Sequence, residues 1–175
     1  MEFEEQPRLS EAPQRVREAL VDEQIKSKHY NGLMQKVLEK ERLESLEWCQ
    51  CGSCDTSTIG VPRSAFCCKE VEPFLSLAPT GCFVAEADFQ KSCLDVHQLV
   101  ISAQTYDYAK GNIVRDSASL QKDTKALRFA AYRNCIFWAF GKLGKGHRKE
   151  LPACALHAIR KAFPDPAGNY VDFKC

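Results

Sequence analysis

Ten cysteines in a chain of 175 residues are the feature that most constrains how this protein folds. All ten lie after residue 48, and five of them fall in two short clusters, WCQCGSC and CCKE. Packing alone calls for far fewer thiols, so these cysteines point to disulfides, to a metal or to catalysis. Disulfides within either cluster would be strained because the thiols are so close in sequence.

The N-terminal segment favours a reducing compartment. MEFEEQPRLSEAPQ is acidic and lacks the apolar core of a secretory signal. The longest apolar runs, such as residues 135–140, are far too short to span a bilayer. We therefore expect a soluble, cytoplasmic protein whose thiols stay reduced, and this expectation favours metal over disulfides.

Charge and composition divide the chain into two parts. Residues 1–47 carry 8 Lys or Arg against 11 Asp or Glu and have no cysteine, whereas residues 48–175 carry 16 against 12. The pattern over residues 16–48 predicts a long charged helix. This N-terminal extension serves either self-association or a protein partner, or it packs on its own domain. Residues 48–175 are long enough for one domain.

Three helices are predicted beyond the cysteine clusters, at residues 86–109, 120–140 and 152–163. Pro152 suits the first position of the third helix, and Pro164 ends it. The apolar positions of the first helix are Phe89, Cys93, Val96, Val100 and Ala103. Those of the second helix are Leu127, Ala131, Cys135 and Trp138. Those of the third helix are Leu156, Ile159 and Phe163.

The spacing C-x-C-x-x-C is typical of a thiolate metal site. Its internal Gly52 can take a positive φ, which turns backbone N–H groups toward sulfur. Thiolates select zinc or an iron–sulfur cluster, and zinc is our first interpretation because no electron-transfer context is visible. The neighbours Cys67 and Cys68 point in opposite directions on an extended chain, so such a pair suits two metals.

Seven thiolates fill the eight positions around two tetrahedral zinc ions when one thiolate bridges them. The seven candidates are Cys49, Cys51, Cys54, Cys67, Cys68, Cys82 and Cys154. The sequence leaves open which of them bridges. With every position filled, the cluster is structural and closed to substrate. Cys93 and Cys135 are then core residues, and Cys175 is a terminal thiol.

Seven sequence blocks together resemble one protein family. In order, they are WCQCGSC, CCKE, GC, LRFAAYR, FGKLGKGHRK, LPACALHAIRKAFP and GNY. Residues 48–175 are similar to the intracellular, or ballast, domain of the P2X-type purinoceptor, subtype seven, an ATP-gated channel. The resemblance implies a mainly helical α+β module of the cytoplasm. It further implies two structural zinc ions on the same seven cysteines and a site for GDP or GTP.

The resemblance assigns the nucleotide site to three residues. Arg128 would meet phosphate, while Tyr132 and Leu151 would pack the base. Two positions depart from the family, because Phe129 replaces a histidine and Asp165 replaces a lysine. A carboxylate repels phosphate, so we add one candidate compensating cation, Lys149.

Two other function classes remain as alternatives. A nucleic-acid-binding zinc module would use the basic stretch 125–161, which holds nine Lys or Arg and one acid, but the cysteine spacing matches no known zinc-finger pattern. A zinc hydrolase would need a motif such as H-E-x-x-H, which is absent. His157 follows Cys154 by three residues and is predicted to pack or to face solvent. We therefore predict a non-enzymatic signalling or interaction module.

Overall fold

A computed structural model describes residues 40–144 and 147–170. These residues are mainly helical, as predicted. The α-helices are α1 (Glu72–Leu77), α2 (Ala87–Phe89), α3 (Val96–Ala109), α4 (Ser117–Lys122), α5 (Thr124–Phe140) and α6 (Ala153–Ala162). A π-helical turn, Gln90–Leu94, continues α2. Short 3₁₀ helices occur at Lys40–Leu43, Pro62–Ser64, Cys68–Glu70 and Phe83–Ala85.

The expected α+β class is wrong for the described part of the chain, because no strand occurs within 40–144 or 147–170. The irregular region 49–82 turns back on itself instead. In a strand, Cys51 and Cys54 would lie about 10 Å apart at about 3.3 Å per residue. Their sulfurs are 3.7 Å apart. Bringing the thiols together therefore requires turns, and Gly52 makes one of them with a φ of 74°.

Two of the predicted helices are each divided by an aspartate. Asp95 separates the π-helical turn from α3, and its carboxylate accepts the N–H of Gln98 at 2.9 Å. Asp123 separates α4 from α5 and accepts the N–H of Ala126 at 2.9 Å. Each carboxylate caps a new helix N-terminus, and this makes the break favourable. The break at Asp95 also rotates the apolar face, so the predicted core residue Val96 is 38% exposed.

The core forms where α3, α5 and the π-helical turn meet. The remaining predicted stripe residues are buried, including Cys93 in the π-helical turn and Cys135 in α5, except for Trp138, which is partly buried and packs against the core. Polar contacts fix the crossing, because Asn134 donates to the carbonyl of Ser92 and accepts from the hydroxyl of Ser102, both at 2.7 Å. Five aromatic rings pack against one another in the same core. They are Phe74, Phe83, Phe89, Trp138 and Phe140.

The predicted N-terminal helix lies mostly outside the described residues. Its expected end at Trp48 is wrong, since the described chain leaves the short 3₁₀ helix after Leu43 and continues in turns. The boundary between extension and domain, placed at 47/48, remains a prediction. Residues 42–48 already pack on the domain, because Arg42 pairs with Glu70 and Leu43 lies against the core.

Candidate metal centre and cationic pocket

Four segments bring seven cysteines to one place. The CxCxxC loop supplies Cys49, Cys51 and Cys54, and the 3₁₀ helix Cys68–Glu70 begins at the adjacent pair. Cys154 comes from the first turn of α6, whose start is tied to the CC segment by a hydrogen bond from the Ala153 N–H to the Phe66 carbonyl at 2.9 Å. Cys82 follows Gly81, which has a φ of 72°.

The sulfurs form two groups of four that share one member. The first group contains Cys49, Cys51, Cys54 and Cys67. The second group contains Cys51, Cys68, Cys82 and Cys154. Within each group all sulfurs lie within 4.8 Å of one another. The common member is Cys51, and the adjacent residues Cys67 and Cys68 belong to different groups.

The sulfurs are thiols and not disulfides. The distances from Cys51 Sγ are 3.9 Å to Cys49 Sγ and 3.7 Å to Cys54 Sγ, against about 2.05 Å for an S–S bond. Hydrogen bonds from Cys154 and then Cys54 lower the pKa of Cys51. The pKa of Cys154 is raised by its hydrogen bonds to Cys51 and the other thiols and by burial. Hydrogen bonds among the thiols also lower the pKa values of Cys67 and Cys82, so each group of four contains thiols with a lowered pKa.

A charged cluster beside Cys67 holds the first group in place. The Glu70 carboxylate accepts the backbone N–H of Cys67 at 2.8 Å, while the Cys67 sulfur accepts from the N–H of Glu70. Arg42 donates to both Glu70 oxygens, at 2.8 and 2.7 Å, and its guanidinium lies 4.9 Å from the Trp48 ring centroid. Sequence analysis missed this cluster, although the three-residue spacing from Cys67 to Glu70 is that of a capping box.

Three cysteines, Cys93, Cys135 and Cys175, do not belong to either group of four sulfurs. Cys93 and Cys135 are fully buried between the π-helical turn and α5, and burial raises the pKa of Cys135. Their assignment as core residues is therefore in agreement with the structure. Cys175 lies outside the described residues. The half-buried His157 is near the cluster but turns Nδ1 toward Asp55 Oδ1, 3.7 Å away.

The four nucleotide candidates do not line one pocket. Arg128 and Tyr132 line a cavity of about 230 Å³, which we call the Arg128 pocket and which Asp165 and Tyr170 also line. Leu151 and Lys149 line a second, smaller cavity, which Tyr132 lines as well.

Tyr132 is 2% exposed, and its hydroxyl accepts from Arg160 Nε at 3.1 Å. Lys149 Nζ lies 5.6 Å from the Phe140 ring centroid.

Within 125–144 and 147–161, the described residues of the basic stretch are partly internal and do not form one continuous cationic surface. Arg128 and Arg160 are 5% and 3% exposed. Arg160 reaches the carbonyl of Thr58, and Arg128 forms an ion pair with Asp165. Arg133 lies 4.0 Å from the ring centroid of Tyr106. Several of these cations therefore hold the fold together.

Comparisons with known proteins agree on one relationship. A model of the family described as the P2X purinoreceptor 7 intracellular domain matches residues 2–174. The mouse P2X purinoceptor 7 is 32% identical over 136 residues, and the rat P2X purinoceptor 7 is 28% identical over 134 residues. Each match covers 75% of this chain but 20% of the relative's length.

The family description names an intracellular domain, in agreement with the cytoplasmic location expected from the sequence. In the described part of the chain, no helix has both the length and the apolar character needed to cross a bilayer. The match extends over nearly the whole chain and includes all seven clustered cysteines. The chain therefore belongs to the P2X purinoreceptor 7 intracellular domain family.

Proposed function

We propose that this chain is a zinc-organised signalling or interaction module whose seven clustered cysteines hold two zinc ions in a closed dinuclear thiolate centre. One observation carries the proposal: two groups of four sulfurs share a single member, Cys51. Two tetrahedral ions with one bridging thiolate need this arrangement of seven ligands. Cys51 is accordingly the bridging ligand, which the sequence had left open.

The donor set and its spacing fit zinc. A Zn–S distance of about 2.3 Å implies a sulfur–sulfur separation of about 3.8 Å in a tetrahedron. The separations of 3.7, 3.9 and 4.0 Å between neighbouring sulfurs are close to this value. Bound zinc would supply structural cross-links among the CxCxxC loop, the CC pair, Cys82 and α6.

The chemistry of the centre supports a binding role and not catalysis. Thiolates fill all eight positions, so neither ion keeps a position open for water or substrate. Five of the seven thiols are at most 9% exposed. We therefore propose a non-enzymatic module that acts in the cytoplasm by presenting a surface stabilised by metal. The activity of the much longer purinoceptors is not assigned to this chain.

Guanine-nucleotide binding has less support than zinc. The four candidate residues are divided between two cavities, and Arg128 already has two acceptors from its own chain. Part of the expected site is retained, because Tyr132 lines both cavities and shares the smaller one with Lys149 and Leu151. Nucleotide binding is therefore not part of the proposed function.

Native mass spectrometry of the full chain tests the zinc proposal. We expect a mass increase that corresponds to two zinc ions, and release of both when a strong chelator is added. Helicity and the fluorescence of Trp48, which lies beside the cluster, should fall together with the metal because structural zinc is coupled to folding.

A protein that keeps its helicity and its Trp48 signal after complete metal removal would contradict a structural role. A stoichiometry of one ion would contradict the dinuclear centre. Titration with cobalt provides an independent measurement, since thiolate ligands give sulfur-to-cobalt charge-transfer bands in the near ultraviolet that oxygen or nitrogen ligands do not.

A further inference from the structure

The Arg128 pocket contains an anion from its own chain. Arg128 Nη1 donates to the carbonyl of Phe163 at 2.9 Å, and Nη2 donates to Asp165 Oδ2 at 3.0 Å. The Arg128 side chain is only 6% exposed, and that of Asp165 is 20% exposed. A guanidinium this deeply buried requires a paired acceptor. In this chain the pairing is intramolecular and comes from the loop that follows α6.

The loop holds Asp165 in position for this contact. Its second oxygen, Oδ1, accepts the backbone N–H of Ala167 at 2.9 Å and that of Asn169 at 3.3 Å. These N–H donors, together with Arg128, lower the pKa of the Asp165 carboxyl. The carboxylate is therefore charged at neutral pH, and both of its oxygens have donors.

Tyr170 completes the cover over the arginine. Its ring centroid lies 5.4 Å from Cζ of Arg128 and 4.9 Å from Cζ of Arg160, distances typical of cation–π contacts. Its hydroxyl accepts the N–H of Asp165 at 3.4 Å. Residues 163–170 thus present a carbonyl, a carboxylate and an aromatic face to the two buried arginines.

We propose that residues 163–170 act as an internal anionic ligand of Arg128, and that Asp165 determines the specificity of this pocket by excluding the phosphate groups of nucleotides. An incoming phosphate oxygen at Nη2 would have to displace Asp165 Oδ2 and would then lie beside a like charge. The exposed Lys125 lines the same pocket and would attract phosphate only once the aspartate charge is removed.

This inference goes beyond the zinc proposal and does not depend on it. It predicts that Arg128 can bind an external anion once Asp165 is replaced by an uncharged residue. Asp165→Asn is the appropriate change because asparagine keeps the shape, and its carbonyl can still accept the N–H groups of Ala167 and Asn169. The loop should therefore stay in place while the competing charge disappears.

Isothermal titration of the full, metal-loaded chain at low ionic strength tests the inference with two probes, pyrophosphate and GDP. The wild type should show no Arg128-dependent binding of either probe. Asp165→Asn should bind both at least tenfold more tightly than the wild type, and added salt should weaken the gain. The matched control is Asp88→Asn, an exposed aspartate of α2 outside the pocket, which should leave both affinities unchanged.

Three results would overturn the inference. The first is a gain of less than threefold in an Asp165→Asn protein that retains wild-type helicity and metal content. The second is wild-type binding of pyrophosphate that is lost in Arg128→Gln. The third is a gain for GDP without a gain for pyrophosphate, because phosphate exclusion is the property assigned to Asp165. If Asp165→Asn binds both probes more tightly and Asp165→Lys does so as well, the second variant would confirm the inference.

Discussion

Replacing Cys51 with serine should remove both metal ions, whereas replacing Cys49 should remove only one. Cys51 belongs to both groups of four sulfurs, while Cys49 belongs to the first alone. Serine is nearly the same size as cysteine but does not provide a thiolate. The two replaced residues are two positions apart in the same loop, so the variants form a matched pair.

The expected loss of stability follows from the number of ions released. Structural zinc contributes on the order of 10 kcal/mol per site, and the net stability of a domain is about 5–15 kcal/mol. Loss of both ions in Cys51→Ser should therefore unfold the domain. Loss of one ion in Cys49→Ser should leave a domain that is partly folded or only marginally stable. Native mass spectrometry counts the ions, and circular dichroism measures the helicity of each variant.

Cys135→Ala is the control for removal of a thiol without loss of metal. Cys135 is fully buried in α5 and lies outside both groups, so its replacement should cost about 1 kcal/mol of core packing and leave the metal content unchanged. The bridging role of Cys51 is refuted by equal metal content in Cys49→Ser and Cys51→Ser. It is also refuted by a Cys51→Ser protein that retains one full equivalent of metal.

Other predictions concern the surroundings of the two sites. Glu70→Gln should lower the free energy of unfolding, measured in urea, by about 2 kcal/mol, because the partly buried guanidinium of Arg42 loses its charged partner. Glu72→Gln, at an exposed position, should change the free energy of unfolding little. Leu127→Ala should cost about 2–5 kcal/mol, measured by thermal unfolding, because this side chain is 2% exposed. The contribution of Asp165 to stability is present above its unfolded pKa, near 3.8, and is lost as pH falls through its lower folded value. The difference in the free energy of unfolding between the wild type and Asp165→Asn should therefore stay constant from pH 8 to pH 5. A difference that becomes smaller within this range would contradict the lowered pKa of Asp165.

Much of the metal centre could be predicted from local sequence alone. The ligands Cys49, Cys51 and Cys54 are so close along the chain that any compact loop brings them together, and the adjacent pair Cys67 and Cys68 must face two ways. The three helical regions were also predictable, since apolar periodicity is a local property. Their divisions were not predicted, because Asp95 and Asp123 could equally be surface residues within longer helices.

The cationic pocket shows where local reasoning fails. A basic helix such as α5 usually presents its charges to solvent, so Arg128 looked available to phosphate. In the fold, the loop after α6 returns to this face and supplies Asp165, 37 residues later in the chain. The presence of Asp165 in place of a lysine could be read from the sequence. Its consequence in the fold is a direct ion pair with Arg128, and not only repulsion of an incoming phosphate.

The sequence by itself determined the family, the mainly helical character and the set of seven thiols, because these depend on residue identity and short-range spacing. Only the tertiary structure decided that Cys51 is the shared sulfur, because sharing requires the positions of Cys68, Cys82 and Cys154 in space. It likewise decided that the Arg128 guanidinium is bound by the Phe163 carbonyl and the Asp165 carboxylate of the same chain. Both results depend on contacts between segments distant in sequence, which the packing of helices creates and no local pattern encodes.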